Sequence, residues 1–316
     1  MENSIMLQEF CVRKKLMGCD FELIVVHENE VRAQSALEAG VKEIQRIEEL
    51  LSEFKSTSQT SMINLDAGKK PVQVNEETYR LIQRCKEISR LTQGAFDITV
   101  GPLKKLYPFR HENFSLPSKQ NISDALKKIG HRYLRLHDDN RVSFDREGMQ
   151  ISFAAIGKGY AADCVSKLWK KGGIDSGVIN ASGDLTLWGR RADGSNWKVG
   201  IAHPDNKNEI ALWLPVEEGS VATSGDYEQF FMHDGIRYSH NINPITGLPL
   251  TGIKSVTVGS PSAELCDALC TGVYVMGKKA GLYLINQLPN THCLIIDEQN
   301  EFYYSKNLHV VQTAQV

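Results

Sequence analysis

Gly177-Val-Ile-Asn-Ala-Ser-Gly-Asp-Leu-Thr-Leu-Trp-Gly189 is the stretch from which the fold class is read. It predicts a strand over 177–189. Further strands follow at 196–202, 210–216, 219–223, 228–233, 236–242 and 253–259, with no helical pattern between them. Parallel strands need a long crossover, commonly a helix, between partners, so this run is read as antiparallel. Working outward, a helix over 157–171 ends at Gly172-Gly173, a plausible C-cap. Helices return at 262–276 and 278–287, and a hairpin closes the pattern near 292–305. Towards the N-terminus, residues 9–27 alternate as a hairpin bent at Gly18. Residues 30–54 carry Ala33, Leu37, Val41, Ile44, Ile47, Leu50 and Leu51 at helical spacing. A polar loop is expected at 56–68, and a helix at 76–92 opened by Asn75 with Glu76 and Glu77 in its first turn. Residues 107–122 read as a Pro- and polar-rich connection or insertion, 123–130 as a helix, and 132–137, 141–145 and 149–153 as strands. Helices interleaved with antiparallel runs give an α+β fold with mixed or antiparallel sheets and packed helices, expected as a single domain over 1–316.

The composition bounds the function. The 316 residues are 41% hydrophobic, and the 36 basic and 38 acidic side chains leave a net charge of −2, without the basic excess of a general nucleic-acid binder. No apolar window is long enough to span a membrane. The segment Met1-Glu-Asn-Ser-Ile-Met-Leu-Gln-Glu-Phe10 lacks the apolar centre of a secretory signal. A cytoplasmic location is therefore expected as the chain is written, or a periplasmic one if a leader has been removed. The seven cysteines contain no Cys-x-x-Cys, which argues against structural zinc. Cys266 and Cys270, four apart, are poorly placed for a disulfide on a helix.

Several short segments mix glycine, small polar residues and a charge. Gly94-Ala-Phe-Asp97-Ile-Thr-Val-Gly-Pro-Leu103 is either a C-capping glycine with a strand behind it or a binding loop. Gly157-Lys158-Gly159 opens a helix, where free N–H groups and an ammonium together suit a phosphate. It is not a Walker A motif, and a tight turn with a solvated lysine fits it equally. Ser182-Gly183-Asp184 and Thr223-Ser-Gly-Asp226 are turn chemistry or a polar site. His240 ends a strand before Asn241-Ile-Asn-Pro-Ile-Thr-Gly247. Such a histidine is often structural, but with an unperturbed pKa of about 6.5 it is also the candidate for proton transfer. Asp267 and Thr271 share one helix face, and their oxygens suit a hard cation such as Mg²⁺; a surface aspartate with a back-bonded threonine is the alternative.

Taken in order, Met17-Gly18, Ser58…Asn64, Gly94-Ala-Phe-Asp97, Lys158-Gly-Tyr-Ala-Ala-Asp163, Ser182-Gly-Asp184, Ala222-Thr-Ser-Gly-Asp-Tyr227, Ser239-His240…Asn243-Pro-x-Thr-Gly247-x-Pro249 and Asp267-Ala-Leu-x-Thr271 resemble the FAD:protein FMN transferases, the ApbE-like flavin transferases. The resemblance spans about residues 17–277. It implies a T-fold-like architecture with FAD, as substrate, in a cleft, and Mg²⁺ at its diphosphate. FMN would pass to a threonine in a short Asp/Ser/Gly/Ala/Thr motif of an acceptor flavoprotein. By the same resemblance Met17, Phe54, Ala95, Phe96, Asp97, Ser152, Lys158, Thr223 and Asn241 are cofactor contacts. Ala155 (through its carbonyl), Asp267 and Thr271 are metal ligands. His240 is the base for the threonine proton, with Asp226 as its rival. The chain departs from the family where Ser152-Phe-Ala-Ala155 replaces a common Asp-Leu-Gly-Gly, which removes a carboxylate at Ser152. Two other outcomes share the same site: an FAD pyrophosphatase releasing FMN and AMP, or an FAD-binding protein without turnover.

Overall fold

In the computed structural model, which describes residues 6–107, 116–214, 216–225, 230–233, 236–306 and 308, the chain opens with the expected hairpin. Strands β1 (Gln8–Leu16) and β2 (Cys19–His27) pair up to Leu16↔Cys19. Met17 (φ 50°) and Gly18 (φ 78°) form the turn. Both are left-handed, as a two-residue turn between right-twisted strands requires, and glycine accepts this without strain. Helix α1 (Glu30–Leu51) begins where the Asn29 side chain accepts the Arg32 N–H. It buries Ala33, Leu37, Gly40, Ile44, Ile47 and Leu51 along one face.

The expected polar loop at 56–68 instead contains a short helix, α2 (Gln59–Leu65), capped by Ser58 and anchored by buried Thr60 and Ile63. Strand β3 (Val72–Gln73) leads to α3 (Glu76–Leu91), which Asn75 caps as expected. Next come α4 (Gly101–Lys104) and α5 (Lys119–Leu126). The latter starts at Lys119, inside the expected connection, because Ser118 accepts the Asn121 N–H; residues 108–115 of that connection lie outside the described residues. Strands β4 (Leu134–His137) and β5 (Arg141–Phe144) join β3 in a small sheet ordered β3-β5-β4. The strand expected at 149–153 does not form beyond a bridge between Gln150 and Val100. Its backbone groups are taken elsewhere. The Asn64 side chain accepts the Ile151 N–H at 2.8 Å and donates to its carbonyl at 3.0 Å, and the Ser152 N–H donates to Ile98 O at 2.8 Å.

Helix α6 (Gly157–Lys171) ends at Gly172 as expected. The single strand read at 177–189 is two, β6 (Ser176–Ala181) and β7 (Asp184–Trp188), folded back at Ser182-Gly183. The remaining elements are β8 (Val199–His203), β9 (Asn206–Leu214), β10 (Gly219–Gly225), β11 (Phe230–His233), β12 (Ile236–Ser239), β13 (Ile253–Ser260), α7 (Ala263–Ile285), β14 (His292–Asp297) and β15 (Phe302–Tyr304). Gly277 (φ 80°, ψ 173°) interrupts α7 at the boundary expected between two helices.

The main sheet has eight strands in the order β1-β2-β6-β7-β10-β13-β14-β15, and its neighbouring pairs are antiparallel. The fold is α+β. Side chains alternate across the pleat and separate two cores. Ile179, Trp188, Ala222, Val256, Val258, Cys293 and Ile295 face the helical side, where α1, α6 and α7 pack. Val178, Leu187, Val221, Leu294 and Ile296 face the opposite way, against Val199, Ile201, Leu212 and Leu214 of the β8–β9 hairpin. Among the described residues no helix is long and apolar enough to cross a membrane, and all seven cysteines are free thiols.

Candidate active site

Helices α6 and α7 meet end to flank, and each supplies a carboxylate to the other's N-terminus. Asp163 of α6 accepts the Ala263 and Glu264 N–H groups and the Ser262 hydroxyl at 2.9–3.1 Å. Asp267 of α7 accepts the Gly159 N–H at 3.1 Å. A carboxylate suits such N-termini because unpaired N–H groups and the helix dipole both favour negative charge there. Gly159 makes the close approach possible, since a Cβ at that position would lie 2.2 Å from the Ala263 carbonyl oxygen.

The exchange has a chemical by-product. The Gly159 N–H, which a continuing helical turn would direct to the Ala155 carbonyl, goes to Asp267 Oδ2. Among the described residues the Ala155 carbonyl accepts no hydrogen bond, and neither does the other oxygen of Asp267. The Thr271 hydroxyl, one turn along α7 from Asp267, is not bonded back to its own helix. All three residues line one cleft. Carbonyl, carboxylate and hydroxyl oxygens are a donor set for a hard cation such as Mg²⁺. Among the described residues no group of three His, Cys, Asp or Glu side chains is placed to hold a metal ion, so a zinc-type cluster is not formed there.

Lys158 lies beside this set. Its ammonium pairs with Asp184 Oδ2 at 2.5 Å, and Asp184 Oδ1 accepts the Thr223 N–H at 3.1 Å. Burial works against the Lys158 charge, but Asp267 and Asp184 outweigh it and hold the ammonium above the ordinary lysine range. For Asp267 burial is the leading influence and raises the carboxyl above its usual range; Lys158 opposes this and Asp184 adds to it. Only 6% of Asp267 is exposed, so this carboxylate has more need of positive charge than Lys158 alone meets.

The cleft gathers nearly every residue expected from sequence. Ala95, Phe96, Asp97, Ser152, Ala155, Lys158, Thr223, His240, Asn241, Asp267 and Thr271 all line it. Met17 and Phe54 line an adjoining depression that shares Ser152, Ala154 and Lys158 with it. Phe54 stands 91% exposed at its edge. Asp226 lies outside the described residues. Asp97 ties its loop to the turn at His131: one oxygen accepts from the Thr99 N–H and hydroxyl at 2.8 and 2.7 Å, the other from the His131 N–H at 2.7 Å. It thereby fixes the loop that carries Ala95 and Phe96. Thr223 Oγ1 is bonded to Thr257 Oγ1 at 2.9 Å, and the Asn241 amide donates to Ser239 Oγ at 3.2 Å.

Two features were not visible in the motifs. Asp184, read as turn chemistry or part of a polar site, is the partner of Lys158. Ser152, which lacks the family's carboxylate, donates its hydroxyl to Glu53 Oε1 at 2.9 Å, so a carboxylate from the α1–α2 loop stands at that point of the cleft.

The sequence pattern of the ApbE family matches residues 17–295. The chain belongs to the ApbE family. Among ApbE relatives, the FAD:protein FMN transferase of Treponema pallidum is 31% identical over 83% of this chain and 77% of its own length. The FAD:protein FMN transferase of Salmonella typhimurium is 31% identical over 91% and 84%. Solved ApbE structures superpose closely. The ApbE protein of Thermotoga maritima has a TM-score of 0.86 at 32% identity, covering 95% of this chain and 97% of that one. The flavin transferase ApbE of Vibrio cholerae also has a TM-score of 0.86, at 25% identity, covering 95% and 98%.

Proposed function

We propose that this protein transfers FMN from FAD to a threonine hydroxyl of a partner flavoprotein, releasing AMP, with Mg²⁺ as its metal. The observation that carries the reading is the open oxygen set of Ala155, Asp267 and Thr271 beside Lys158 in one cleft. FAD as substrate and a protein as acceptor follow from the names of the relatives that share this fold along most of their length. Bound there, Mg²⁺ supplies charge neutralisation for a diphosphate.

The chain's own residues then have distinct tasks. Lys158, held between Asp184 and Asp267, presents a fixed ammonium to phosphate oxygens, which lowers the cost of charge developing during transfer. Ala95, Phe96 and the Asn241 loop bound the cleft and orient the dinucleotide, and Met17 with Phe54 extends it towards an aromatic ring system. The threonine oxygen forms a bond to the FMN-side phosphorus as the bond to the AMP phosphate breaks. AMP leaves with the electron pair, and His240, on the cleft wall, takes the threonine proton.

The test is direct. The protein is incubated with FAD, Mg²⁺ and an acceptor bearing an Asp/Ser/Gly/Ala/Thr segment, and the acceptor is weighed by mass spectrometry. A gain equal to FMN that EDTA abolishes is the expected result. Free FMN and AMP with an unmodified acceptor, or FAD left intact, would refute it.

A further inference from the structure

The charged lining of the cleft leaves one group without a role. Asp97 is bonded to Thr99 and His131, Asp184 is paired with Lys158, and Asp267 caps α6. Lys104, the last residue of α4, also lines the cleft, yet among the described residues its ammonium makes no hydrogen bond or ion pair. Its neighbours hold it in place. Leu103 before it and Tyr107 three residues on are 0% and 2% exposed, and the Tyr107 hydroxyl donates to the Gly247 carbonyl at 2.7 Å. The residue itself is exposed, opening to solvent from the lining of the cleft. Glu53 and Asp267 are the carboxylates whose charges reach its ammonium. Its place in the lining sets a positive charge in the same cleft as a buried carboxylate and a cation-type oxygen set.

We propose that Lys104 is a second phosphate-binding residue, pairing with the diphosphate oxygens of the dinucleotide alongside Lys158. The assignment rests on the flavin-transferase reading above and adds to it a residue outside every motif that carries the resemblance. The charge count supports it. Lys158 is already paired with Asp184 and feels the charge of Asp267, so it contributes position more than net charge. Lys104 brings an uncommitted positive charge to a cleft whose lining would otherwise set three carboxylates against Lys158 alone and repel a dianion.

The experiment compares the full-length wild type, Lys104→Met and Lys104→Arg, in Mg²⁺, by calorimetric titration with FAD and separately with riboflavin, which lacks both phosphates. Lys104→Met is expected to weaken FAD about tenfold, equivalent to about 1.4 kcal/mol. Riboflavin affinity should be unchanged, and Lys104→Arg should recover most of the FAD affinity. The FAD affinity of the wild type should also fall more steeply with salt than that of Lys104→Met. Equal FAD affinity in Lys104→Met and wild type overturns the assignment while leaving the transferase reading intact. So does a parallel loss for riboflavin, which would mark a disturbed pocket wall. A wild type that binds no FAD overturns both.

Discussion

Asp267 divides its two oxygens between structure and chemistry. Oδ2 holds the Gly159 N–H, and the other oxygen is left for the cleft. Replacement by Asn separates the two roles, because the amide oxygen still accepts the Gly159 N–H while the charge is gone. Asp267→Asn is expected to lower Mg²⁺-dependent FMN transfer on the order of 10²-fold or more. It should remain folded, and in EDTA it should be no less stable than wild type, since a buried carboxylate costs more than a buried amide. The readouts are transfer rate and melting temperature with and without Mg²⁺. Added Mg²⁺ and FAD should raise the wild-type melting temperature and leave that of Asp267→Asn nearly unchanged. A variant that retains normal Mg²⁺-dependent rates would remove Asp267 from the metal site. Thr271 sharpens the same argument: a helical threonine ordinarily bonds back along its helix, and here the hydroxyl is left for the cleft.

Elements place these residues, and the α6–α7 crossing is the one on which the site depends. Gly159→Ala is expected to push α6 off α7, because the new methyl would meet the Ala263 carbonyl at 2.2 Å and backbone must move. The loss in unfolding free energy should be about 1–3 kcal/mol, read as a lower denaturant midpoint, with weaker Mg²⁺ binding in the same variant. An unchanged midpoint would show that the crossing is softer than its geometry implies. Helix α3 is tied to this pair through Glu77, which accepts from Arg46 of α1 and from the Tyr160 hydroxyl of α6 at 2.6–2.9 Å. Bonding to Arg46, then to Tyr160, holds the Glu77 carboxyl below its usual range, against an opposing effect of burial. A depressed folded-state pKa contributes stability above the unfolded value of about 4.3 and loses it as pH falls through the lower folded value. Glu77→Gln should therefore cost about 1 kcal/mol at pH 7, with the gap from wild type closing below about pH 4. A gap that persists at pH 3 would point to packing, not charge. Sequence made these helices legible because their apolar stripes and caps are local: Asn75 and Gly172, read as caps, mark true ends. Helix α2 was hidden because only Thr60 and Ile63 of its seven residues are buried, too few to set a period. The site divides in the same way. Lys158 and Asp267 stand in recognisable runs. The partnerships of Lys158 with Asp184 and of Ser152 with Glu53, 26 and 99 positions apart, exist only once the chain is folded.

At the scale of the whole molecule, the sheet keeps function on one side of its stability problem and support on the other. The cleft forms where the α6 N-terminus, the start of α7, the end of β10 and the 95–100 and 240–244 loops converge. The opposite face is closed by the β8–β9 hairpin, whose Val199, Ile201, Leu212 and Leu214 cover Val178, Leu187, Val221, Leu294 and Ile296. None of these residues lines the cleft. Strand β10 nevertheless belongs to both sides, with Val221 facing the hairpin, Ala222 facing α7 and Thr223 at the cleft. If the sheet is stiff enough to isolate the site, damage under the hairpin should change stability and not chemistry. Leu212→Ala, at a side chain 3% exposed, is expected to cost about 2–5 kcal/mol of folding free energy. Measured well below its own melting transition, its kcat/KM for FMN transfer should stay within about twofold of wild type, since additivity holds for sites that share no contacts. A large fall in kcat/KM in the folded variant would mean that β10 transmits the cavity to Thr223, and that the hairpin is part of the working site.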